Sequence, residues 1–130
     1  MVEQRNELWE RLEKWQHNAQ VGMTKEKYLD MKDQLGEPPD WEECPPGQDD
    51  FPAVVLQAIE SFNGLGDKVY PEIGYTGKDY TNLPVYLDYY SIEDTEFFLE
   101  ILLRLDTEAI KISQDQLKRE MDRLKRKQHG

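Results

Sequence analysis

The sequence predicts an all-α fold: a small helical domain of about five helices, joined to an extended acidic, proline-rich linker and finished by a long C-terminal helix. Two observations predict it. Apolar residues recur at helical spacing in most of the chain, and glycine and proline gather between those runs, where they stop helices. A length of 130 residues suits one domain with one modest core.

The first element runs from Glu3 to Gln20, where Leu8, Trp9, Leu12, Trp15 and Ala19 form the apolar face of an amphipathic helix. Gly22 interrupts it. Thr24 is suited to cap a second helix carrying Tyr28, Leu29, Met31 and Leu35, and Gly36 stands where a left-handed residue closes helices. Residues 1–36 thus form a leading pair of helices.

Residues 37–50 hold four prolines and six acids, Glu37, Asp40, Glu42, Glu43, Asp49 and Asp50, without one base. Proline fixes φ and removes a backbone donor, so no regular element is expected in this strap. Trp41 lies within it. An indole in a polar linker is expected to pack on its own domain, with contact to a partner as the alternative.

A core domain over residues 51–112 follows. Asp50 is expected to cap a helix with Pro52 in its first turn and Val54, Val55, Leu56, Ala58, Ile59 and Phe62 as a broad apolar cover. Segment 63–80 is too rich in glycine and proline to continue it, and Gly74-Tyr75-Thr76-Gly77-Lys78-Asp79-Tyr80 reads as a helix-to-helix turn. Asp79 or Thr81 can cap the next helix, which has Pro84 in its first turn, and Ser91 with Asp94 resembles a capping pair for the last. In that last helix Phe97, Phe98, Ile101, Leu102, Leu105, Ala109 and Ile112 form one stripe. Leu117, Met121 and Leu124 continue it through a basic extension, residues 113–130, past a polar stretch suited to bend the helix.

Charge excludes several functions. The net of −11 argues against nucleic acid or an anionic membrane as the main partner, since phosphate rewards basic surface. No stretch approaches the roughly 20 apolar residues of a membrane span, and the charged amino terminus lacks the apolar core of a signal peptide. Residues 117–130 carry six bases against Glu120 and Asp122, a net of +4, so the remainder carries −15. That tail reads as a solvated helix end, or as a dock for an acidic partner or for another copy's acidic strap, which would make a homo-oligomer.

The chemistry of catalysis is not legible. Cys44 is alone and His17 and His129 lie far apart, so no metal cluster, catalytic triad or cofactor site is expected; acidic neighbours disfavour the Cys44 thiolate. A phosphate loop requires glycine where Glu72 stands and Ser or Thr where Asp79 stands. Both departures put negative charge where phosphate would sit. Tyr70, Tyr75, Tyr80, Tyr86, Tyr89 and Tyr90 crowd one region; Tyr86 and Tyr90 suit core packing, while tyrosines at 75, 80 and 89 suit a protein surface. The candidate protein-binding residues are Trp41, Tyr75, Lys78, Tyr80 and Tyr89.

Asp50-Phe51-Pro52 opening an apolar helix, the loop at 74–80, a helix just after it, and Asp106-Thr107-Glu108-Ala109 resemble the small tail assembly chaperones of tailed bacteriophages. Their loop typically reads Gly-Pro-Thr-Gly-Leu-Asp-Tyr, and Gly74, Thr76, Gly77, Asp79 and Tyr80 match it. The resemblance covers roughly residues 49–110; Tyr75 replaces the proline, Lys78 the leucine, and Phe51 a common tryptophan. Residues 28–38 with the acidic linker are also similar to proteins of large marine phages. The resemblance implies a non-enzymatic helper in the bacterial host cytoplasm that binds the tape-measure protein while tail-tube subunits assemble. The alternatives are a structural virion or connector component and an acidic host-directed inhibitor.

Overall fold

The computed structural model describes residues 2–129, with side chains from 4 to 128. It is mostly helical, with one small two-stranded sheet that the all-α expectation did not contain. Contacts divide the chain into two units, residues 1–56 and 57–130.

In the first unit α1 covers Val2–Val21 and α2 covers Lys25–Leu35. Trp9 and Leu12 are the buried members of the α1 stripe, and Trp15 meets Phe51 edge to face with centroids 6.2 Å apart. Thr24 caps α2 by accepting from the Lys27 amide, and Gly36 closes it at φ +68°. Both caps are as expected. The strap is irregular except for one 3-10 turn at Gln48–Asp50. Asp50 does not cap the next helix: its carboxylate accepts from the Gly47 amide at 2.8 Å and pairs with Lys25, which also holds Asp49. The Gly47 amide, with Lys25 beside it, holds the Asp50 carboxyl below its ordinary range. Cys44 is half-buried, and burial above all raises its thiol pKa.

Helix α3, Ala53–Gly64, starts instead on the Pro52 carbonyl, which accepts from the Val55 and Leu56 amides. Val55, Ala58, Ile59 and Phe62 are buried at i, i+3, i+4 and i+7, the spacing of a single helical face. In the second unit, residues 74–80 are not a turn between helices. Strands β1, Gly66–Tyr70, and β2, Gly74–Asp79, form an antiparallel hairpin. Its three-residue loop puts Glu72 at φ +72°, and Gly74, the first residue of β2, takes φ +83°. Between the pairs Asp67↔Lys78 and Val69↔Tyr75 the β2 strand carries one extra residue, a bulge at which Gly77 takes φ +130°. The glycines expected to serve a loop therefore serve a bulged strand.

Helix α4, Leu83–Tyr89, follows with Pro84 in its first turn. Neither Asp79 nor Thr81 caps it; Asp79 accepts from the Thr81 amide and hydroxyl, a local turn one step earlier. Helix α5 runs Thr95–His129 without interruption through the polar stretch 113–116. Asp94, not Ser91, caps it, accepting from the Phe97 amide at 3.0 Å, while Ser91 takes a left-handed φ of +52°. Phe98, Ile101, Leu102 and Leu105 form the buried face of α5.

Candidate functional site

Strand β2 lies along α5. Its bulge makes the approach close: a side chain at Gly77 would meet the Asp106 carboxylate and Ile110, and one at Gly74 would meet the Ser113 hydroxyl. Asp106 is the centre of the arrangement. It is buried, and it accepts from the Tyr75 hydroxyl at 2.5 Å, the Tyr80 hydroxyl at 2.7 Å and the Lys78 amide at 3.0 Å. A carboxylate taken out of water is costly unless donors replace the lost hydration, and here three do. Burial, followed by the bond to Asp106, pushes the pKa values of both tyrosines well above 10.

Lys78 points its side chain the other way. It is only 8% exposed, its ammonium pairs with Asp67 at 2.5 Å, and it sits 4.6 Å from the centroid of the Phe62 ring. The stem passes along apolar surface to a partly exposed partner. Three of the five candidate residues, Tyr75, Lys78 and Tyr80, are thus engaged in bonds that fix the hairpin to its own unit.

Those bonds also fix where α4 begins. Tyr80 is tied to Asp106 and its carbonyl accepts from the Leu83 amide. The far end is held by Tyr86, whose hydroxyl fills the space a side chain at Gly64 would need, and by Tyr90, which donates to Glu60 at 2.5 Å. The bond to Glu60 pushes the Tyr90 pKa to about 12. Tyr86 and Tyr90 are half-buried, and Tyr90 meets the Tyr89 ring edge to face at 4.9 Å. With both ends tethered, α4 turns Val85, 64% exposed, and Tyr89, 78% exposed, to solvent. Asn82, Val85, Tyr86, Tyr89 and Tyr90 line a shallow, mostly apolar groove.

In the first unit Trp41 is 67% exposed. The indole does not pack down as expected, and the turn that carries it is tied instead by another aromatic. The buried Tyr28 hydroxyl donates to the Asp40 carbonyl and accepts from the Asp40 amide, both at 3.1 Å. The Asp40 carbonyl also accepts from the Glu43 and Cys44 amides, which closes the turn.

Sequence reasoning missed Asp106 as a participant and Val85 as a surface residue. A lone acid set among Leu102, Leu105, Ala109 and Ile110 on an otherwise apolar stripe was the available signal for the first. Among the described residues no three His, Cys, Asp or Glu side chains gather as a metal site requires, and no helix is long and apolar enough to cross a membrane. Compared with family models, curated proteins and solved structures, the chain matches none.

Proposed function

We propose that this chain is a tail assembly chaperone of a tailed bacteriophage, a non-enzymatic protein that binds the helical tape-measure protein in the host cytoplasm and leaves before the particle is finished. The observation that carries the reading is the α4 groove: an exposed Val85/Tyr89 pair follows the segment 74–80 whose residues resemble that family. Residues i and i+4 of a helix stand side by side, so the pair offers one contiguous strip to the apolar face of a client helix. Tyrosine adds rigid contact area with a polar tip, which suits a surface that must also face water between clients. The net charge of −11 keeps a loaded complex dispersed while the client's apolar face is being covered.

In this reading the family-like residues and the contact residues have different jobs. Tyr75 and Tyr80, through Asp106, hold the approach to α4, and Tyr89 with Val85 touches the client.

Co-expression with the tape-measure protein of the same phage, followed by affinity capture, tests the reading. Wild type co-purifies with it; the double variant Val85→Ser, Tyr89→Ser keeps its helical circular dichroism and loses the client. Mass spectrometry of purified virions supplies the second arm: the chaperone is absent from the finished particle. Its presence there at fixed stoichiometry would sink the proposal and favour a permanent structural component.

A further inference from the structure

Helix α5 outlasts the hairpin that covers it. Strand β2 faces α5 from Asp106 to Ser113, and the same stripe then continues through Leu117, Met121 and Leu124. Met121 is 53% and Leu124 51% exposed. The stripe is flanked by Lys118, Arg119, Lys125, Arg126 and Lys127, while Arg123 pairs with Glu120. This is a basic amphipathic face at the end of an acidic protein.

Its chemical complement stands in the first unit. Trp41 projects from an ordered turn with Glu42 and Glu43 exposed beside it. Tyr28 holds that turn through two hydrogen bonds to Asp40, so little conformational freedom is left to lose when the indole is covered. An exposed, pre-organised tryptophan amid carboxylates fits an apolar seat rimmed by bases. The tail stripe is such a seat, and its +4 charge opposes tail-to-tail pairing while favouring contact with the strap.

We propose that the Trp41 turn of one copy seats on the Leu117, Met121 and Leu124 stripe of a second copy, with Glu42 and Glu43 facing the tail bases. The contact joins two different surfaces, so it is heterologous, and each copy carries both halves of it.

The test uses the full chain in sedimentation velocity. Wild type self-associates, and raising salt from about 50 mM to about 500 mM weakens the association by roughly tenfold or more, as expected for opposed surface charges. Trp41→Ala alone and Met121→Glu alone are each monomeric, with circular dichroism unchanged because both side chains face solvent. Mixed, the two variants form a one-to-one pair, since one supplies an intact stripe and the other an intact indole. A symmetric tail-to-tail coil cannot produce that rescue. Charge reversal by Glu42→Lys with Glu43→Lys gives a second route to the monomer. A wild type that stays monomeric at low salt overturns the proposal; so does a Trp41→Ala variant that still associates, a mixture that stays monomeric, or a tail that binds anionic vesicles without any self-association.

Discussion

Segment 74–80 turns its aromatic hydroxyls inward onto Asp106, whereas the turn at 40–44 holds its indole outward and is itself gripped by a tyrosine from α2. Both are aromatic stretches next to glycine or proline, and both are ordered by a tyrosine hydroxyl. The difference is where the carboxylate sits. Asp106 is buried and must collect donors, so it draws Tyr75 and Tyr80 in; Asp40, Glu42 and Glu43 around Trp41 are exposed, the Asp40 carboxylate accepts from the nearby Glu42 amide, and none of them draws the indole in. The aromatic that stays exposed is thus the one whose neighbouring acids are themselves exposed.

The contrast breaks most severely at Asp106. Asp106→Ala leaves two tyrosine hydroxyls and the Lys78 amide without their acceptor, and the expected loss is about 3 kcal/mol or more in urea unfolding followed by far-UV circular dichroism. Gly64→Ala comes next. Its new methyl would overlap the Tyr86 hydroxyl, forcing the Tyr86 ring to move, at an expected cost of about 1–3 kcal/mol with perturbed Tyr86 resonances.

A smaller effect separates the two regions by pH. The Tyr75 and Tyr80 pKa values are raised in the folded chain above the 10.0 of an unconstrained tyrosine. The unfolded chain loses these protons first, so their contribution is fully present below pH 10 and declines as pH rises above it. Unfolding midpoints measured from pH 8 to 11 should fall on the alkaline side, and Tyr80→Phe should flatten that fall while costing about 1 kcal/mol at neutral pH. Smallest of all is Trp41→Ala, expected within about 0.5 kcal/mol of wild type because the side chain is solvated. A loss of 2 kcal/mol or more there would mean that the indole has a structural seat after all.

Helices were legible where burial and spacing agree. Val55, Ala58, Ile59 and Phe62 announce α3, and Thr24 and Gly36 bracket α2 with the cap chemistry their types supply. The hairpin was not legible, because all five residues of β1 are exposed and leave no alternation, while β2 contains two glycines that weigh against a strand. Val69-Tyr70 and Tyr75-Thr76 around a short Pro-Glu-Ile turn were its only local trace. The site was half legible. Tyr75 and Tyr80 stood out by type, but whether a tyrosine faces in or out depends on an acid 26 or 31 residues away, and no local pattern encodes that distance. Lys78 shows the same gap: its burial depends on Asp67 across the sheet and Phe62 in α3.

Tyr80 belongs to the Asp106 cluster as a structural donor. A double-mutant cycle of Tyr80→Phe and Asp106→Ala in urea measures this directly. The expected coupling is about 1–2 kcal/mol, with Tyr80→Phe costing little once Asp106 is gone; costs that add to within about 0.3 kcal/mol would show that Tyr80 is not a donor to Asp106.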